Sequence, residues 1–335
     1  MIAVAATATV TSVLEAASRK TSTQLQTLNG IFAVNKPPGI SCTGLLDYIK
    51  RNAGKGVHAM PFAEHFERER QLRVTGKKIR RPRCSPHLRV GHGGTLDVEA
   101  GGVLVVGLGN GCKQLEGFLK GGKSYLAEAR LGIATESFDA EGRVTEIVDT
   151  NVSADDIRRQ LGQFTGNIMQ IPPKYSAIRI DGKRLYEYAR DGTTVPVPVE
   201  ARPVHIGSID LLHFQAPGQA TFGVRARLPL DVEAYYAEGR YRWEGGRARQ
   251  GEPLLAWSNE PGVPRMQMLI QSGGGVYIRS LVHDLGHALG SAATMMTLLR
   301  LSQGPLRLDK DSIEVADLPY DERIIAAVRH SQSLM

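Results

Sequence analysis

The chain has 335 residues, 42% hydrophobic and 22% charged, with 41 basic against 34 acidic side chains and a formal charge of +7. That length can bury a substantial core in one large domain or two closely joined ones, and the composition is that of a soluble globular protein. No apolar run approaches the about 20 residues a membrane-spanning helix needs, and Cys42, Cys84 and Cys112 form no CxxC pair, which argues against a disulfide framework or a zinc site and fits a reducing compartment.

Residues 1–28 are rich in Ala, Thr and Ser, with only Glu15, Arg19 and Lys20 charged; they read as a disordered tail or a targeting segment. Order begins with a strand, Ile31-Phe32-Ala33-Val34-Asn35, running into the turn Lys36-Pro37-Pro38-Gly39. Ser41 is placed to cap a helix with Leu45, Leu46 and Ile49 on one face. Residues 54–90 then hold ten Lys or Arg against three Asp or Glu, leaving 31 basic and 31 acidic residues in the rest of the chain. All the formal excess sits in this segment, with Lys77, Lys78, Arg80 and Arg81 at its densest point. Its weak apolar periodicity marks it as an insertion that orders on a partner. Such a block is the footprint of a polyanion or a solvated loop tip.

A glycine-rich loop follows, Gly91-His92-Gly93-Gly94-Thr95-Leu96-Asp97, before a buried strand at Val103-Leu104-Val105-Val106 and a helix carrying Leu115, Phe118 and Leu119 that ends at Gly121-Gly122. Tyr125 to Leu131 alternates as a strand, and residues 144–148 are placed to pair with it across the turn at 139–142. Ser153-Ala154-Asp155-Asp156 has the spacing of a capping box for a helix bearing Ile157, Leu161 and Phe164. Residues 204–214 and 222–228 read as strands, 231–263 as a second insertion and 266–270 as another strand. The run Val276-Tyr277-Ile278-Arg279 reads as a strand with Tyr277 and Arg279 on one face. Two helical stretches then carry Leu281, Leu285, Leu289 and Met295, Leu298, Leu299. Strands interspersed with helices without regular alternation indicate an α+β fold.

Asp97 is the first candidate for chemistry, because its glycines let backbone approach a ligand while the following strand fixes the carboxylate. An Asp in such a loop can equally be a turn residue or a cap. Arg279 is a candidate partner that would keep a carboxylate ionised and aimed, as a covalent nucleophile requires. Gly107-Leu108-Gly109-Asn110-Gly111 imitates a dinucleotide-binding turn, but Cys112 stands where the third glycine belongs.

The loop at residues 91–97 closely resembles the GHxGTLD signature of TruB-type pseudouridine synthases. Lys36-Pro37-Pro38-Gly39 resembles their first motif and Lys123-Ser124-Tyr125 their KxY strand. Gln170-Ile171-Pro172-Pro173-Lys174-Tyr175-Ser176-Ala177 and residues 182–190 are similar to further family stretches. Gly275-Val276-Tyr277-Ile278-Arg279-Ser280-Leu281 with Asp284-Leu285-Gly286, Leu298 and Arg300-Leu301 resembles the C-terminal signature.

The resemblance spans about residues 30–305 in the family's order. It implies one catalytic domain over 29–335, with insertions at about 54–90 and 231–263 and a mixed, mainly antiparallel central sheet flanked by helices. It further implies isomerisation of the uridine at position 55 in the tRNA T-loop, with Asp97 as nucleophile, Tyr125 stacking on the base and taking part in proton transfer, Arg279 paired with Asp97, and Tyr277 lining the pocket. His92 would hold the T-loop, Leu298 would pack near the flipped base, and Lys36 is grouped with the RNA-binding residues through a motif that supports the catalytic loop. Lys77, Lys78, Arg80 and Arg81 would hold RNA backbone.

No cofactor or metal is implied, nor a membrane or guide RNA; the partner is tRNA and the state a monomer. Gly93, where bacterial members have Thr, and the about thirty residues after Gly304-Pro305, too few for a PUA module, resemble the fungal branch. That branch implies nucleus or mitochondrion, with cytoplasm the alternative. A tRNA-binding chaperone without chemistry is the second reading.

Overall fold

The structure, a computed structural model, describes residues 27–75, 88–218 and 262–335. The expected tail, the quartet Lys77, Lys78, Arg80 and Arg81, the strand at 222–228 and nearly all of the second insertion lie outside the described residues. The described residues fall into two compact units, the first from those of 27–121 with 300–335 and the second from those of 122–299.

The sheet of the first unit is mixed and mainly antiparallel. The strand Gly30–Lys36 runs antiparallel to Gly101–Leu108 and parallel to Ser312–Ile313, and Val90–His92 adds antiparallel to Gly101–Leu108. Ile31, Ala33, Val103 and Val105 point to one face, where they pack with Leu115, Phe118 and Leu306. The helix Asp321–Ser333 lies on the Gly30–Lys36 strand and buries Ile324 and Val328. Ser41 caps the helix Cys42–Asn52 as the sequence predicts, its hydroxyl accepting from Gly44 N at 2.9 Å.

Residues 54–75 hold more order than the sequence predicts. A helix at Phe62–Thr75 packs on Cys42–Asn52, because Phe62, His65 and Phe66 recur at helical spacing on one face. The rings of Phe62 and His65 each lie 5.1 Å from Tyr48. His65 Nε2 bonds Gly44 O at 3.0 Å, and Tyr48 Oη donates to Met60 O at 3.1 Å. Three anchoring rings in the first turns are too few to register as periodicity over the whole charged segment.

The second unit contains a fully antiparallel run in which Lys123–Leu131 pairs with Arg265–Ser272, that strand with Arg202–Gln215, and that in turn with Gly166–Gln170. Ser153 builds the predicted capping box with Asp156 at the start of the helix Ala154–Leu161. Three expectations are corrected. The strand Val144–Ile147 pairs with Ile133–Thr135 rather than with Lys123–Leu131, the two enclosing Ile133, Ala140, Val144 and Met296. Tyr277 and Arg279 do not lie in a strand: Tyr277 is the N-cap of the helix Ile278–Ala288 and Arg279 sits in its first turn. Residues 293–303 are a strand, not a helix, beginning in the second unit and ending in the first. Nearly every side chain of that strand is buried, so the alternation that reveals a half-exposed strand is missing.

Candidate active site

The glycine-rich loop grows out of the Val90–His92 strand, and its backbone is held almost residue by residue. Gly93 N donates to Val105 O at 2.8 Å and Ala100 N to Asp97 O at 3.2 Å. The Cys42 thiol brackets Leu96, accepting from its N–H at 3.2 Å and donating to its carbonyl at 3.4 Å. Arg300, fully buried, donates from Nε to Val103 O at 2.6 Å and from Nη2 to Gly94 O at 3.2 Å. Gln303 Nε2 donates to Gly93 O at 2.6 Å and to Phe118 O at 3.1 Å. Gly102 has φ +97°, and a Cβ there would stand 2.2 Å from Arg300 O, so only glycine lets these segments approach so closely.

Lys36 is 0% exposed. Its ammonium donates to Ala100 O at 2.6 Å and to Pro37 O and Val98 O at 3.0 Å. Burial pulls its pKa down to about 8, opposed by nearby Cys42, Glu99 and Asp97. Lys36 therefore ties the segment just after Asp97 to the Pro37-Pro38 turn, and its side chain is shut away from any RNA surface. Asp97 remains half-buried at the top of this braced loop. His92 enters from the adjoining strand, and burial, then the Arg300 charge, lower its pKa and favour the neutral ring. A carboxylate on a backbone that cannot drift is what positioned covalent or acid–base chemistry requires.

The remaining candidates belong to the second unit. Tyr125 is buried in Lys123–Leu131, opposite Ile270. Leu298 is buried in Ala293–Gln303. Gln170 closes a two-point clamp on the start of the helix Ile278–Ala288, accepting from Tyr277 N at 2.8 Å and donating to Tyr277 O at 3.0 Å. Arg279 is also buried; Nη1 donates to Ser137 O at 3.1 Å and to Asp139 Oδ2 at 3.2 Å, and Nη2 to Tyr175 O at 3.0 Å. Asp139 is fixed in turn by the Ser137 hydroxyl at 2.5 Å and by Glu141 N at 3.1 Å, both on Oδ1. Thus the Gln170-to-Tyr175 run and the turn at 137–141 together orient the guanidinium.

Over residues 79–228 the chain matches the TruB family pseudouridylate synthase (N terminal domain). It is 36% identical to the pseudouridylate synthase TRUB1 of Homo sapiens, over 93% of this chain and 71% of the relative. The chain belongs to the TruB pseudouridylate synthase family. Identity is 30% to tRNA pseudouridine synthase 4 of Schizosaccharomyces pombe, over 90% of this chain and 86% of that protein. It is 31% to tRNA pseudouridine synthase B of Clostridium novyi, over 88% and 73%. With greater identity to the human than to the fission-yeast relative, the likeness extends beyond the fungal branch.

Sequence reasoning singled out the family's residues with evident chemistry and missed those that brace them. Cys42, Asp139, Gln170 and Gln303 received no role, and Arg300 entered only as part of a motif. The available signal was polarity out of place: Arg300 and Gln303 are the long polar side chains in a run rich in Met and Leu, where a buried polar group must have partners.

Proposed function

We propose that this TruB-family enzyme converts uridine to pseudouridine at position 55 in the T-loop of tRNA, acting as a monomer without a guide RNA. The reaction breaks the N1–C1′ bond, turns the freed uracil and joins C5 to C1′, N1 taking up a proton as the C5 proton passes to solvent. It is an isomerisation, and no oxidant or reductant enters. Asp97 is the nucleophile, attacking the base or the sugar carbon as the glycosidic bond opens. Arg279 is assigned as its partner in the reaction, as the family resemblance implies. The target base must leave the stack; Tyr125 receives it and takes part in moving the proton, with Tyr277 and Leu298 lining the space around it. His92 holds the distorted loop. Selectivity then comes from loop shape and backbone contacts rather than from a base-edge code.

The observation that carries this reading is the bracing of Asp97: a fully buried lysine, a buried arginine, a glutamine and a thiol all hold the backbone of one short loop. Relatives named as tRNA pseudouridine synthases share 30% and 31% identity with the chain. The test is tritium release from a tRNA transcript labelled at uridine C5. One equivalent per tRNA is expected, and none from a transcript with cytidine at position 55. Undiminished release from the cytidine transcript would place the target elsewhere.

A further inference from the structure

Phe138 has a backbone φ of +65°, a region a bulky side chain enters only when its surroundings hold it there, most often beside a functional site. Its ring lies face to face on the imidazole of His283, with centroids 3.8 Å apart and planes 15° from parallel. His287 meets His283 edge-on at 4.5 Å. Burial, reinforced by His287, lowers the His283 pKa to about 4, so the stacked ring is neutral near pH 7. The backbone of the turn is also tied, Phe138 N donating to Thr135 O at 3.2 Å and Met295 N to Phe138 O at 3.1 Å.

The next residue is Asp139, which receives Arg279 at 3.2 Å. Arg279 and His283 are four apart on the helix Ile278–Ala288 and share a face. One helix face thus holds two consecutive residues of the turn, by a stack on Phe138 and an ion pair on Asp139. These contacts are geometrically coupled, because the left-handed residue sets the direction in which the following carboxylate leaves the backbone.

We propose that Phe138 and His283 are positioning residues of this enzyme: their stack holds the left-handed turn that aims Asp139 at Arg279, and so sets the guanidinium for the reaction. The proposal rests on the reading of Arg279 as the nucleophile's partner. A merely structural pair would alter stability and leave the chemical step alone.

The test is steady-state turnover of tRNA by His283→Ala, Phe138→Ala and the conservative His283→Phe, alongside the Arg279 Nε–H resonance of arginine-labelled protein. Both alanine variants should lose about tenfold or more in kcat with KM within about twofold, whereas His283→Phe, which keeps a flat ring, should stay within about threefold of wild type. The Arg279 resonance should move in the alanine variants and hold its place in His283→Phe. An Arg279 resonance unmoved in both alanine variants overturns the proposal, as does a folded His283→Phe with the tenfold loss. Should the alanine variants not fold, His283→Phe alone decides by the same two readouts. A wild type that released no tritium would refute the proposed reaction, while the resonance would still decide the positioning.

Discussion

Lys36 carries its ammonium into a site closed to water, where an uncompensated charge would be costly, and three backbone carbonyls offset that cost. Replacing it with methionine keeps the stem and leaves Pro37, Val98 and Ala100 without their donor. Lys36→Met should therefore lower the unfolding free energy by about 1–3 kcal/mol and reduce kcat by loosening the loop under Asp97. The pH dependence has a definite sign. Folding lowers the Lys36 pKa from 10.5 to about 8, so between those values the unfolded chain binds the proton more tightly and stability rises with pH. Urea unfolding at pH 7.5 and 9.5 should show the wild type's advantage over Lys36→Met widening; a gap that narrows would mean the buried charge is not what the site contends with. Gly93 is a second residue-scale constraint. A Cβ there would stand 2.8 Å from Phe118 Cβ, so no larger residue can be added to this loop without moving the helix Leu115–Lys120.

Among the elements, the helix Asp321–Ser333 begins with a conflict. Asp321 favours the helix N-terminus through the dipole, but it is 3% exposed and burial, then Glu322, raise its pKa from 3.8 to about 6. A raised carboxyl pKa means the folded state holds the proton more tightly, so stability falls as pH rises from about 4 to 6 and the cost stays above that. Asp321→Asn should be more stable than wild type by about 1–3 kcal/mol at pH 7.5, with the difference gone near pH 4. Equal melting temperatures at pH 7.5 would contradict this.

Elements bounded by local chemistry were legible in the sequence: the Ser41 cap, the Ser153 box and the strands Gly30–Lys36 and Gly101–Leu108. Those defined by distant partners were not. The helix Ile278–Ala288 lacks a side-chain cap of its own and takes its terminal bonds from Gln170, 107 residues away. Burial on both faces hid the strand Ala293–Gln303 among helix-forming Met and Leu. The site divides in the same way: the Asp97 loop stands out by its glycines and motif order, whereas the buried groups bracing it come together only through the fold.

At the scale of the whole molecule, the excess charge of +7 is concentrated between residues 54 and 90, with the remainder neutral. That asymmetry suits a protein that holds a polyanion at one place. Changing Lys77, Lys78, Arg80 and Arg81 to glutamine should weaken tRNA binding and flatten the salt dependence by up to four charges' worth of counterion release. An unchanged slope would remove this segment from the RNA interface. We propose Asp97 as the nucleophile. The most direct measurement is single-turnover tritium release from C5-labelled tRNA by wild type and Asp97→Asn at saturating enzyme, with tRNA affinity measured in parallel. Asp97→Asn should give no release above background, with tRNA bound within about threefold of wild type. Release from Asp97→Asn at the wild-type rate would contradict that assignment.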